Sequence, residues 1–179
     1  MRTKSGRTSN IDGMDSSTPK GVRSSDYFVA IEMVLGEMDD GEFLAQVLSC
    51  TLPLKEWTHR AHVKFANLCL LTAPFDDALT TVRSSIQAYN SANQIEDGPT
   101  SGYNETTTRA FLHLIASTMH FYGDAFPTPD SDSFCDAHPQ LMNRYILRLF
   151  YSPERRMHPD AKTSFVEPDL APLPLLHRE

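Results

Sequence analysis

Between Phe75 and Tyr89 the apolar residues Phe75, Ala78, Leu79, Val82, Ile86 and Tyr89 recur at the spacing of a helix that buries one face. Pro74 stands where such a helix starts, and Asp76 and Asp77 fall in its first turn, where the helix dipole favours carboxylates. A second stripe runs through Phe111, Ile115, Thr118 and Tyr122, widened by Leu112 and Met119, behind a capping Asn104. No stretch carries convincing strand alternation, and no internal repeat is present. The chain therefore reads as all-α, an irregular bundle of about five main helices with an extended, Pro-rich C-terminal tail.

The remaining helices follow from breakers and caps. The spacing predicts helices over Tyr27–Met38, Glu42–Cys50, Lys55–Thr72 and Gln140–Tyr151, with Asp40-Gly41 as a break and Pro53 placed to start the third. Phe126–Ser133 is turn-rich, Ser152-Pro153-Glu154 caps a short helix, and His158-Pro159-Asp160 suggests another. The tail from Phe165 to Leu176 is apolar but broken by Pro, so it is expected to lie extended against the bundle.

Length and charge bound the function. The 179 residues suggest one domain. We expect a disordered basic leader over residues 1–25 and a single helical domain over 26–179. The leader holds five Lys/Arg and two Asp, so of the net −7 the rest of the chain carries −10. That acidic body argues against nucleic acid as a partner, and no apolar run is long enough to span a bilayer. Cys50, Cys69 and Cys135 show no pairing pattern and fit reduced thiols in a cytoplasmic protein. An organellar leader is compatible with the composition of residues 1–25, although they carry Asp12 and Asp15 and no apolar stripe.

Chemistry concentrates in two places. His59 and His62 stand one turn apart on the predicted Lys55–Thr72 helix, His62 alongside Phe65 and Cys69 and nearly opposite the polar residues Arg60, Lys64 and Asn67. Arg60, Lys64 and Asn67 are expected to face solvent. Glu105 opens the long helix after Asn104 and shares a stripe with Leu112, Ala116 and Met119. Two His and one Glu make a His₂Glu set that suits zinc with an open fourth position, and also other first-row metals. Spacing alone equally describes two hydrogen-bonded core imidazoles and a carboxylate that caps a helix. Tyr103, two residues before Glu105, could place a phenol in the same pocket, and His113 could orient a ligand. No Gly-x-Ser-x-Gly elbow, Gly-rich phosphate loop or His-Glu-x-x-His motif is present.

Three stretches resemble a known family. They are Glu56-Trp-Thr-His-Arg-Ala-His62, Gly102-Tyr-Asn-Glu-Thr106 followed by Thr108 and Arg109, and Phe165-Val-Glu-Pro-Asp-Leu-Ala-Pro-Leu-Pro174. They resemble a small helical family, mostly bacterial, that includes the fungal cyclopenases of quinolone alkaloid pathways, over roughly residues 42–174. The resemblance implies a hemocyanin-like bundle and a zinc lyase of secondary metabolism. Such an enzyme contracts a cyclopenin-type benzodiazepinedione epoxide, its small-molecule substrate, to a viridicatin-type quinolone. It implies His59, His62 and Glu105 as zinc ligands, with Tyr103, Glu105, His113, Glu167 and Asp169 as candidates for catalytic proton transfer if the tail folds over the pocket mouth. Bacterial relatives carry His where this chain has Asn104. A hydrolase of a small amide or lactam, and a non-catalytic helical interaction domain, are the competing readings. The oligomeric state is not readable from the sequence.

Overall fold

A computed structural model describes residues 38–98 and 101–176. The expected leader, and the expected helix before Met38, lie outside the described residues. The described residues belong to one compact unit that begins at Met38. It is all-α, with no strand among the described residues. The helices are α1 (Asp40–Leu48), α2 (His59–Thr72), α3 (Phe75–Ala92), α4 (Glu105–Tyr122), α5 (Ser131–Ala137), α6 (Pro153–Met157) and α7 (Asp160–Thr163). Two 3₁₀ turns, Leu54–Glu56 and Ile146–Leu149, complete the set.

Helix α2 is the hub. It packs against α1, α3, α4 and α5, and α3 packs on α4. Phe65, Val63, Tyr89, Leu112, Ile115 and Val47 are among the most enclosed core side chains. Ala78 and Ala110, with no exposed surface, are small residues on the α3 and α4 faces that enter this core.

Local caps decide the boundaries. Asp39, not residue 42, opens α1: its carboxylate accepts from the Glu42 amide at 2.8 Å, so Asp40-Gly41 lies inside the first turn instead of breaking the helix. The third predicted helix starts four residues late. Thr58 caps α2 by accepting from the Ala61 amide, and Leu54–Glu56 forms a separate 3₁₀ turn. Asn104 caps α4 as expected, accepting from the Thr107 amide at 2.8 Å. Ser152 caps α6 through Arg155.

Two expectations fail. The predicted helix over Gln140–Tyr151 is a series of turns ending in the Ile146–Leu149 3₁₀ piece. Its apolar spacing is met instead by anchoring Leu141 and Leu147, each almost fully buried, while the Asn143 side chain accepts from the Tyr145 amide and draws the backbone into a turn. Conversely Ser131–Ala137, left without helix by the turn-rich composition before it, is helical because Asp130 caps it through the Ser133 amide at 2.7 Å.

The expected solvent face of α2 is the larger surprise. Lys64 is 5% exposed and Asn67 2%. Helices α1 and α5 cover that side, so its charges need partners. The Lys64 ammonium pairs with Asp132 of α5 and, at 3.2 Å, with Asp40 of α1, and it lies over the Phe43 ring. Arg60 reaches Asp136 at 2.7 Å and Asp132 at 3.1 Å. Asp40 in turn accepts from the amide and hydroxyl of Ser131. One charge network therefore pins three helices together. Replacing Lys64 leaves the partly buried Asp40 without an ion pair and Asp132 with Arg60 alone. Lys64→Met is expected to lower the unfolding free energy by about 3 kcal/mol. Urea denaturation checks this, and an unchanged midpoint would show that the network is energetically idle.

Candidate functional site

The Thr58 cap sets the imidazole positions, because it makes His59 the first residue of α2 and puts His62 at the end of the first turn. The His62 Nδ1–H donates to the Thr58 carbonyl at 2.7 Å. Its ring packs on Trp57 at 4.1 Å, Trp57 stacks on Tyr89 at 4.3 Å, and the Tyr89 hydroxyl donates to the Leu52 carbonyl at 2.6 Å. The Trp57 indole N–H is buried with no acceptor among the described residues. The His59 Nε2–H donates to the Leu141 carbonyl at 2.9 Å, and its ring meets the Phe111 ring edge-on at 4.9 Å.

A carbonyl only accepts, so each ring spends its single proton there. That fixes the tautomers and leaves Nδ1 of His59 and Nε2 of His62 as the basic nitrogens. Burial lowers the pKa of both rings. The charge of Arg144 adds to the effect at His59, and His59 itself adds to it at His62. Both histidines are therefore neutral at pH 7.

Both rings line one cavity of about 320 Å³. Val63, Val82, Ile86, Phe111, Leu112 and Ile115 make its apolar wall, and Thr107, Thr108 and Arg144 supply polar groups. The size falls at the lower end of small-ligand pockets, roughly 300–1,000 Å³.

Glu105 does not join this cavity. It is 7% exposed, and its carboxylate sits in the guanidinium fork of Arg83 on α3, Nε to Oε2 at 2.8 Å and Nη2 to Oε1 at 2.6 Å. The Tyr103 hydroxyl donates to the same Oε2 at 2.5 Å. Arg83 is the main cause that holds the Glu105 pKa low against the cost of burial. Burial, followed by the Glu105 charge, raises the Tyr103 phenol, which keeps its proton. Gly102, at φ +76°, makes the turn that aims Tyr103 here, and a Cβ on it would strike the Asp97 side chain.

Tyr103 and Glu105 line a second cleft of about 730 Å³ that shares no residue with the histidine cavity. Among the described residues no three His, Cys, Asp or Glu side chains are grouped to hold a metal.

The tail does fold back, but elsewhere. His113 hydrogen-bonds the Pro174 carbonyl, and with Glu167 and Asp169 it lines an open groove of about 1140 Å³ beside Phe75. Asp169 is committed to α6, accepting from the Ser152 amide at 2.8 Å and hydroxyl at 2.6 Å. The Glu167 carbonyl accepts from Arg155 at 2.9 Å. None of His113, Glu167 and Asp169 borders the histidine cavity, because Pro-rich chain packs along the α3 start and the α4 flank. The Asn104 side chain is spent on capping α4.

The sequence reading missed Arg83, Thr107, Thr108, Phe111 and Arg144 as site residues. Arg83 follows Val82 at the edge of the apolar stripe of α3, a position that reads as solvated until α4 is packed beside it.

Comparison with protein families, with curated proteins and with solved structures finds no match for this chain.

The lowered histidine pKa values set a pH dependence. The unfolded chain binds protons at these rings from about pH 6.5 downward while the folded chain resists them. The stability they contribute is complete above that pH and is lost as pH falls through the lowered values. Thermal unfolding is expected to show Tm dropping between about pH 7 and pH 5, above the range where carboxylates titrate. His62→Gln, which cannot titrate, should flatten that slope, and an identical slope would remove His62 from the account.

Proposed function

We propose that the chain is a zinc-dependent lyase of secondary metabolism that contracts a cyclopenin-type benzodiazepinedione epoxide to a viridicatin-type quinolone. The observation that carries this reading is the pair of imidazoles. Each donates to a main-chain carbonyl, the arrangement that orients metal-ligating histidines and raises their basicity, and both border one cavity. The stretches Glu56–His62 and Gly102–Thr106, with their resemblance to cyclopenases, support it further.

By their chemistry, two neutral imidazoles with an unprotonated nitrogen each suit a divalent ion. The carboxylate fits it only by exchange, since Glu105 is held by Arg83 and Tyr103. His59 and His62 would hold the ion, and Glu105 would be the third donor once it leaves that fork. The ion would supply Lewis acidity toward a carbonyl or epoxide oxygen.

The chain's own residues account for the rest. Phe111, Leu112, Ile86 and Ile115 form a dry wall for fused aromatic rings. The hydroxyls of Thr107 and Thr108 and the Arg144 guanidinium supply donors for substrate carbonyls. Tyr103, protonated and bonded to Glu105, is the candidate to pass a proton through that carboxylate.

The same carbonyl bonds favour a second reading, a helical domain without catalysis. They satisfy both rings without an ion, and Arg83 satisfies Glu105.

Elemental analysis and an assay with cyclopenin separate the two. The enzyme reading expects about one zinc per chain, and loss of metal and turnover in His59→Ala and His62→Ala. Turnover that persists in metal-free, chelator-treated protein overturns the zinc assignment. Protein that neither binds zinc nor turns over cyclopenin is the non-catalytic domain. A ring-opened acid in place of a quinolone identifies a hydrolase.

A further inference from the structure

The cleft that holds Glu105 is a site in its own right. It lies between α3, α4 and the segment around Phe165, with a volume of about 730 Å³. Its wall carries three cations, Arg83, Arg109 and Lys162, against two carboxylates, Asp97 and Glu105. Two of the cations are spoken for. Arg83 is forked to Glu105, and Lys162 donates to the Gly98 carbonyl at 2.6 Å and the Ser101 carbonyl at 2.8 Å, with Asp97 at 3.4 Å. Arg109 is different. Its half-buried guanidinium lies over the Phe165 ring at 4.7 Å and has no hydrogen-bonded carboxylate among the described residues.

We propose that this cleft binds a small organic monocarboxylate, anchored by Arg109. Three cations against two carboxylates leave this wall one positive charge in excess, which suits a single negative charge, and the carboxylate of Glu105, which already feels Arg109, disfavours a dianion. A guanidinium over an aromatic ring can still offer N–H groups to the planar, two-pronged bonding that a carboxylate accepts. Gln87 and Asn90 on α3 offer amides to the body of the ligand. The buried Arg83–Glu105–Tyr103 cluster fits a binding wall better than a stabilising device. Buried ion pairs add little net stability over apolar residues of similar volume, but they hold a polar surface rigid. The site shares no residue with the histidine cavity, so it stands whether or not zinc binds there.

The test is an amide-shift NMR titration of the full chain with sodium benzoate at constant ionic strength, with inorganic phosphate titrated in parallel. Benzoate is expected to saturate with Kd at or below about 1 mM and to shift the amides of Gln87, Asn90, Arg109 and Phe165. Arg109→Gln is expected to weaken it at least about tenfold, the loss of one charge-assisted pair. Gln87→Glu places a like charge on an exposed position of the opposite wall and is expected to weaken it about threefold. That variant decides the matter should Arg109→Gln fail to fold. Shifts that do not saturate, phosphate shifts of the same size on the same amides, or a Gln87→Glu titration identical to the parent overturn the proposal.

Discussion

The Lys64 ammonium, held between carboxylates of α1 and α5, is the interaction on which the rest of the structure depends. Helix α2 lies at the centre, with neighbours on the apolar and polar sides alike. At Lys64 and Asn67, in the middle of this helix, polar side chains are shut off from water. Its cations are tolerable only because Asp40, Asp132 and Asp136 come to meet them from the surrounding helices. The network makes the placement of α1 and α5 specific, since an apolar contact alone would let either helix slide. Because α2 is fixed, so are the two imidazoles at its first turn.

The contact of α3 with α4 then divides the chemistry. On one side Val82 and Ile86 of α3 face Thr107, Thr108 and Phe111 of α4, and the histidines complete the cavity. On the other side Arg83, Gln87 and Asn90 face Glu105 and Arg109. Adjacent residues of one helix point about 100° apart, so Val82 and Arg83 serve different cavities. The first side is largely apolar with Arg144 as its one charged lining residue, while the second carries charges of both signs. Tyr103 belongs to the charged side, where its hydroxyl donates to Glu105.

Much of the helical content was legible. The stripe from Phe75 to Tyr89, the Asn104 cap and the Ser152-Pro153 start are local features whose energetics lie within a turn or two of chain, and the structure has each where it was expected. The failures share a cause. Leu141, Ile146 and Phe150 are spaced for a helix, yet Leu141 and Leu147 are held by the core from separate turns, an outcome decided by distant partners. Lys64 and Asn67 read as solvated because a lone helix would wet them. The pairing of Glu105 with Arg83 bridges 22 positions and has no local signature.

What the sequence alone determined is therefore local: an all-α chain, most of its caps, and two imidazoles one turn apart on the same helix. What only tertiary structure decided is which of those groups meet. Glu105 lies in the fork of Arg83 and apart from the histidine cavity, and the Pro-rich tail covers the flank of α4 beside His113. Periodicity specifies which face of a helix a side chain occupies. The neighbour that covers that face is chosen by long-range packing and charge pairing, which no spacing rule encodes.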